Sequence, residues 1–327
     1  MIISKTPFRI SYLGGGTDFP EWYLKNTGKV LSTTINKYNY VVLSGLPDIF
    51  KYNYRVRYYY NERCKNVNEI KHPSIRNLAK LYNIKNLDLL HFSDLVGMSG
   101  IGSSSAFTVG TIKALTELKN IRLSKDQLAT QAINIERNLN NEHIGCQDQY
   151  ACAFGGFNSI SFNKNRIKVL RLNDCTKNKK LINQSTMLLY TGAHRNSQIQ
   201  SKELVSQIKK GNNFVYLKKI REFSEIGEKM IKSKAFSNKI FGELLNESWQ
   251  YKKSCSKKIS NKTIELIEAD AKKFGAYASK VIGAGGGGFM IIYAEKKFQN
   301  AIKKKLNRFK FVNFKFSNEG SKIIIKS

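Results

Sequence analysis

The residues best suited to chemistry gather around one glycine-serine stretch, Val96-Gly97-Met98-Ser99-Gly100-Ile101-Gly102-Ser103-Ser104-Ser105-Ala106-Phe107. Glycines at 97, 100 and 102 allow positive φ or a close backbone approach to a ligand. Ala106, Val109, Ile112, Leu115 and Leu118 then recur at helical spacing. The loop therefore runs into a helix N-terminus, whose unpaired N–H groups and positive dipole end favour an anion. Its serine hydroxyls suit three tasks: capping the helix, hydrogen-bonding a phosphate or ligating Mg²⁺. No lysine follows the last glycine, so this is not the G-x-x-x-x-G-K-[ST] loop. A plain capped helix is the competing reading.

Three carboxylates stand in settings of interest. Asp18 closes Gly14-Gly15-Gly16-Thr17-Asp18, where it either accepts hydrogen bonds from ligand hydroxyls or caps a glycine turn. Glu136 falls near the C-terminal end of a helix opened by the capping box Ser124-Lys125-Asp126-Gln127. The helix dipole disfavours a carboxylate there, and either a nearby cation or plain solvation resolves the conflict; solvation is the simpler expectation. Asp148, in Gly145-Cys146-Gln147-Asp148-Gln149-Tyr150, reads as an N-cap or as a general base aimed into a cleft. A third glycine run, Gly283-Ala284-Gly285-Gly286-Gly287-Gly288, separates a helix from the buried-strand pattern Phe289–Ala294. Close backbone approach or a sharp bend fits that position better than a flexible linker.

The elements that must carry these groups follow from periodicity. Ile2-Ile3 and Arg9–Leu13 are strand-like, with a turn expected near Pro7, and Val30–Leu43 is rich in strand formers. Tyr54–Tyr60 alternates, with Arg55 and Arg57 interleaved, as a half-exposed strand would; stacking on bases is the alternative. Ile75–Tyr82 reads as helix and Leu87–Phe92 as strand, and Phe157–Phe162 and Arg166–Leu172 as a hairpin. The polar run Asn173–Asn183 is the expected surface connection between two domains. Strand Thr186–Tyr190, five helical stretches, the last at Phe298–Leu306, and terminal strands including Lys322–Ile325 would complete a second, α+β domain. His194 has no metal-pair spacing and is assigned no catalytic role.

Composition bounds the function classes. The 327 residues suit about two domains, and 41% hydrophobic content supports an ordinary core. No apolar stretch is long enough for a transmembrane helix, and motif residues begin close to Met1, so no signal peptide is expected. Five cysteines without a C-x-x-C pair support neither a disulfide framework nor a zinc site, so a reduced, cytoplasmic protein is expected. The net charge of +31 raises an RNA-binding alternative. The lysines are dispersed, with only short clusters such as Lys177–Lys180 and Lys303–Lys305, which favours compositional drift over a polyanion surface. Neither nucleic acid nor membrane is expected as a partner.

Taken in order, the three glycine-bearing segments resemble the GHMP small-molecule kinases. Thr6-Pro7-Phe8-Arg9 through Thr17-Asp18 matches the first family motif, Gly100–Ala106 the second and Lys280–Gly288 the third, so the resemblance spans nearly the whole chain. Within the family, Pro7-Phe8-Arg9, Gly14–Asp18, Trp22-Tyr23, Thr34–Tyr38 and Thr191–Arg195 look most like the D-glycero-D-manno-heptose 7-phosphate kinases. Gly15 and Gly16 stand where galactokinases carry Glu and His, which argues against galactose and suggests a wider pocket. Fucokinase-like members also vary at this point, so another sugar-1-kinase is the alternative.

The resemblance implies an α+β, two-domain GHMP kinase fold. An N-terminal α/β domain with a left-handed βαβ crossover (1–182) would precede a ferredoxin-like C-terminal domain (183–327). It implies ATP and Mg²⁺ as cofactors and transfer to the anomeric hydroxyl of a heptose 7-phosphate. ATP phosphates would lie on Gly97, Ser99, Gly100, Ile101, Gly102, Ser103, Ser104 and Ser105. Ser103 and Glu136 would ligate Mg²⁺, with Ser104 competing for the serine role. Asp148 would be the base, with Arg9 as its neighbouring cation. Gly15, Gly16, Thr17, Asp18, Gln147 and Gly285, Gly286 and Gly287 would line the sugar site. Arg195, just before a helix start, is the candidate for the sugar's existing phosphate, ahead of Arg55 and Arg57.

Overall fold

The structure, a computed structural model, describes residues 1–97, 99–172, 174–192 and 197–327, the side chain of Ser197 aside. Its first strands are β1 (Ile2–Leu13), β2 (Gly28–Gly45), β3 (Tyr54–Arg57), β4 (Asn61–Cys64) and β5 (Leu87–Ser93). Strands β6 (Phe157–Phe162), β7 (Ile167–Arg171) and β8 (Thr186–Tyr190) follow. The last are β9 (Ala278–Val281), β10 (Phe289–Tyr293), β11 (Lys310–Val312), β12 (Phe316–Ser317) and β13 (Lys322–Lys326). Helices in the first half are α1 (Pro20–Tyr23), α2 (Pro73–Leu81), α3 (Ser103–Leu118), α4 (Lys125–Ile133) and α5 (Gln147–Phe154). Helices α6 (Thr176–Ser185), α7 (Ser197–Lys209), α8 (Phe214–Lys232), α9 (Asn238–Ser254), α10 (Lys262–Lys273) and α11 (Lys296–Lys305) belong to the second.

Two sheets organise these elements. The first runs β13-β1-β2-β5-β3-β4, with β6 and β12 also paired to the long β2 and β7 paired to β6. The second, β11-β8-β10-β9, is antiparallel throughout. In the first, β3 and β5 pair in parallel, with β4 and α2 in the connection between them.

The axis of the molecule is β1, buried along most of its length between β13 and β2. It is one continuous strand through Pro7, where a turn was expected. The β1–β2 register shifts between Pro7 and Arg9, and such an irregularity accommodates a residue with no N–H to give to the ladder. Helix α3 lies on β1, tied by Ser4 Oγ, which donates to the Gly110 carbonyl at 2.7 Å. Tyr12 carries β1 toward the second sheet: its ring stacks on Phe157 at 5.7 Å and its hydroxyl shares a 2.8 Å hydrogen bond with Thr186 Oγ1.

Two sequence expectations change here. Asn173–Asn183 is not a plain connection, because α6 occupies most of it. Asn178 donates to the carbonyls of Ile231 and Ser233 at the end of α8, and Ile182 is fully buried. The terminal strand also does not close the second sheet: β13 pairs with β1, Ile2 opposite Lys326 and Ile3 opposite Ile325. A strand with apolar residues on one face reveals that it needs a partner, and says nothing of which one.

Candidate active site

The centre of the site is a buried ion pair. Arg9 extends from the mid-portion of β1, and Asp148 lies in the first turn of α5. Arg9 Nε donates to Asp148 Oδ1 at 2.7 Å and Nη2 to Oδ2 at 2.8 Å, the parallel fork of a bidentate pair. The third nitrogen, Nη1, donates to the Gly100 carbonyl at 2.8 Å, and the Arg9 backbone N–H to the Ile101 carbonyl at 3.2 Å. The Arg9 side chain is 2% exposed and that of Asp148 23%, so the carboxylate reaches the cleft and the guanidinium lies behind it. Gly102 makes this packing possible: its φ is +74°, and a Cβ there would stand 3.3 Å from Arg9 Cγ and 3.4 Å from Asp148 Oδ2.

The glycine-serine loop opens α3 with Gly102 at the N-cap and no side-chain cap. The serines therefore leave the helix N-terminus bare, as an anion site requires. Ser103, Ser104 and Ser105 line the cleft, and Ser105 Oγ donates to Glu136 Oε2 at 2.9 Å. After Ile133 the α4 helix widens into a π-helical turn, Asn134–Leu139. Such single turns re-aim side chains and recur at functional sites. Here Glu136 is turned inward and fully buried, which corrects the expectation of a solvated glutamate. Gln149 also donates to Oε2, whereas Oε1 has no hydrogen-bond partner among the described residues. Burial, then the charge of Glu142, pushes its carboxyl up to about 8. Glu142 lines the same part of the cleft, and its own carboxyl is raised by burial. A buried carboxyl with an open oxygen, a half-buried second carboxyl in the same cleft and serine hydroxyls beside them are a donor set suited to a hard cation. Among the described residues no group of three or more His, Cys, Asp and Glu forms a metal cage.

The other carboxylate, Asp18, is buried and accepts from the Gly16 N–H at 2.8 Å and from Gln147 Nε2 at 3.1 Å. Burial raises its carboxyl above the ordinary value. The Gly145 backbone lies against it: a Cβ on Gly145 would sit 1.9 Å from Asp18 Oδ2. Asp18 thus closes the glycine turn, one of its two readings from sequence, and also reaches α5 through Gln147. Gln147 Oε1 is buried beside it without a partner among the described residues. From α9, Lys252 Nζ donates to the Gly15 carbonyl at 2.9 Å. Lys280 on β9 donates to the carbonyls of Ser11 and Tyr12, pinning the second sheet to β1. Burial, then Lys252 and Arg9, brings its ammonium down to about 7.

The third glycine run meets the second motif directly. Phe289 N–H donates to the Ser99 carbonyl at 2.9 Å, and a Cβ on Gly288 would lie 2.3 Å from that oxygen. Gly283 and Ala284 line the cleft. Gly285 and Gly286 instead pack on Ile259, Lys258 and Gln200.

These parts surround one cleft of about 620 Å³. Its polar end holds Arg9, Gly15, Gly16, Asp18, Gln147, Asp148 and Lys252; its other end is walled by Tyr58, Tyr59, Tyr60, His72, His91 and Phe107. Phe107 has His72 at 4.9 Å and His91 at 4.8 Å between ring centroids, and Tyr59 Oη accepts from the Gly97 N–H at 2.9 Å. Arg55 and Arg57 both pair with Asp88, as side chains of an ordinary strand. Asp148 is not an N-cap, because Cys146 holds that position and the carboxylate turns to Arg9. Arg195, His194 and Met98 lie outside the described residues. Sequence reasoning missed Glu142, Lys252 and the aromatic wall. Only the alternation at Tyr54–Tyr60 hinted at the last.

A glycine-lined cleft beside a mixed sheet and an antiparallel one, with a bare helix N-terminus near a carboxylate, is an arrangement suited to a small-molecule phosphotransferase. The profile of the GHMP kinases N terminal domain matches residues 68–156, and that of the GHMP kinases C terminal matches residues 231–312. The D-glycero-alpha-D-manno-heptose 7-phosphate kinase of Campylobacter jejuni is 34% identical over 98% of both chains. A mevalonate kinase of Methanocaldococcus jannaschii is 27% identical over 74% of this chain and 78% of its own. Among solved structures, a D-glycero-D-manno-heptose 1-phosphate kinase from Bacteriodes thetaiotaomicron superposes with a TM-score of 0.80 at 21% identity, covering both chains in full. Lactococcus lactis galactokinase superposes with a TM-score of 0.76 at 16% identity, covering 98% of this chain and 94% of that one. The chain belongs to the GHMP kinase family, with that family's two-domain α+β fold. It is a kinase, and kinases of this family take their phosphoryl group from ATP. No helix among the described residues is long and apolar enough to cross a membrane.

Proposed function

We propose that the enzyme transfers the γ-phosphoryl group of ATP to the anomeric hydroxyl of D-glycero-D-manno-heptose 7-phosphate, giving the 1,7-bisphosphate. The observation that carries the choice of sugar is the 34% identity to the Campylobacter jejuni heptose 7-phosphate kinase along 98% of both chains. Gly15 at the polar end of the cleft leaves room for a larger sugar, since a Cβ there would meet nothing nearer than Gln147 Nε2 at 3.7 Å.

Phosphoryl transfer asks a protein for positioning and charge neutralisation more than for covalent chemistry. The ATP phosphates lie on the Gly97–Ser105 loop and the bare N-terminus of α3, and the purine stacks in the aromatic end of the cleft. Asp148 accepts the anomeric proton while the sugar oxygen bonds to the γ-phosphorus and ADP leaves. Arg9 holds both carboxylate oxygens in place, and its buried positive charge stabilises the developing alkoxide. Asp18 and Gln147 hold sugar hydroxyls. Glu136, through its open Oε1, and Ser103 or Ser104 would hold Mg²⁺, with Glu142 lining the same cleft. The bound ion neutralises phosphate charge.

A second reading, another sugar-1-kinase, is supported by the bifunctional fucokinase/GDP-fucose pyrophosphorylase of Arabidopsis thaliana. It is 23% identical over 88% of this chain, which spans 29% of that protein. An ADP-release assay over a panel of free and phosphorylated sugars separates the two: heptose 7-phosphate should give the highest kcat/KM. A preference for fucose would replace the first reading with the second.

A further inference from the structure

We propose that Glu62 is a positioning residue for the nucleotide, holding the Tyr58 ring and the His72 backbone in the wall on which the purine stacks. This rests on the placing of the purine at the aromatic end of the cleft.

Glu62 lies on β4 opposite Val56 of β3 and is buried with Cys64, whereas Asn61 and Arg63 are exposed. Its carboxylate collects three neutral donors. Tyr58 Oη donates to Oε1 at 2.7 Å, the Lys71 N–H to Oε2 at 2.5 Å and the His72 N–H to Oε1 at 3.3 Å. A charge taken out of water is costly unless hydrogen bonds of this kind satisfy it. Glu62 itself stands behind the cleft lining, and Tyr58 and His72 are part of that lining.

The groups it holds begin a row of rings. Tyr58 meets His72 edge-on at 5.0 Å, His72 meets Phe107 at 4.9 Å, and Phe107 meets His91 at 4.8 Å. At the far end His91 Nε2 lies 2.6 Å from Nδ2 of the buried Asn39. Phe107 and His91 stand on α3 and β5, which fix them. Tyr58 and His72 have no such support: Tyr58 opens the turn between β3 and β4, beside the exposed Tyr59 and Tyr60, and His72 is the residue before α2. One carboxylate joins that turn to that helix start. Stacking depends on where the ring faces lie, and rings left free would have to be ordered by the nucleotide at an entropic cost. Both carboxylate oxygens receive a backbone N–H, and an amide has a single acceptor oxygen, so glutamine can replace only part of the arrangement.

The test compares Glu62→Leu, Glu62→Gln and Tyr58→Phe, with Phe107→Leu as the check on where the purine lies. Each is measured for kcat, for KM of ATP and of the sugar, for ADP binding by calorimetry without sugar, for inhibition by inorganic triphosphate and for melting temperature. Glu62→Leu should weaken ATP and ADP about ten-fold, roughly 1.4 kcal/mol. It should leave the sugar KM, kcat at saturating ATP and the triphosphate inhibition constant within two-fold, because the phosphate loop is untouched. Glu62→Gln should recover part of the loss, and Tyr58→Phe should show a smaller loss of the same selective kind. Should Glu62→Leu fail to fold, Tyr58→Phe decides: undiminished ADP binding there would overturn the proposal. Equal weakening of ATP, triphosphate and sugar would show that Glu62 only supports the fold, and would overturn it too. Full ADP affinity in Glu62→Leu, with affinity lost in Phe107→Leu, would reject Glu62 and keep the purine where it is placed. Full affinity in both would remove the purine from the aromatic end, and this role of Glu62 with it.

Discussion

Arg9 holds Asp148 by both carboxylate oxygens, at 2.7 and 2.8 Å, and with its remaining nitrogen holds the carbonyl of Gly100 at 2.8 Å. One buried guanidinium thus fixes the proposed base and the proposed phosphate loop against each other. Positioning of this kind is what phosphoryl transfer most needs, since misplacement by about 1 Å can cost 10²-fold in rate.

Asp148→Asn keeps the shape and removes the proton acceptor. The expected loss in kcat is about 10²–10⁴-fold, with KM for ATP nearly unchanged. It also weakens the partner of a guanidinium that is 2% exposed, so the melting temperature should fall as well. Wild-type turnover in a folded Asn variant would remove Asp148 from the role of base.

Glu136 has a structural reason to bind a cation, because Oε1 is buried without a partner while Oε2 takes Ser105 and Gln149. Glu136→Gln should raise the Mg²⁺ concentration for half-maximal activity about ten-fold. It should also reduce the gain in melting temperature that Mg²⁺ with a non-hydrolysable ATP analogue gives the wild type. Identical Mg²⁺ dependence in both measurements would return Glu136 to a purely structural role.

The histidines of the aromatic wall make stability depend on acid. Burial lowers His72 and His91 from 6.5 to about 4. Between those values the unfolded chain binds protons that the folded chain does not, so their contribution is complete above about pH 6.5 and lost as pH falls toward 4. Replacing both by Gln should therefore shrink the drop in unfolding free energy between pH 7 and about pH 4.5, measured by urea titration without ligands. An undiminished drop would mean that other groups carry the acid sensitivity.

The parts of the site legible in the sequence are those written in local spacing. Gly100–Ser105 declares its helix through the apolar periodicity that follows, and the three motifs in order declare the family. Glu136 was harder: solvation was expected from its place near a helix end, and the π-helical turn that carries the buried side chain is not announced by the 3.6-residue period. Lys252 is one of 55 lysines and arginines, and nothing in the pattern of α9 marks it until α9 lies across Gly15. The aromatic wall draws on Tyr58–Tyr60, His72, His91 and Phe107, whose meeting depends on tertiary packing. The return of β13 to β1 is likewise a pairing across the length of the chain, which alternation cannot specify.

The position and substrate of phosphorylation test the account most directly. Heptose 7-phosphate, ATP and Mg²⁺ are incubated with the enzyme, and the product is followed by phosphorus NMR with proton coupling. The account predicts a second phosphorus signal coupled to the anomeric proton, appearing as ADP forms in equal amount, absent with Asp148→Asn on the same timescale. Phosphorylation at another hydroxyl, or ADP release with unphosphorylated sugars alone, would contradict it.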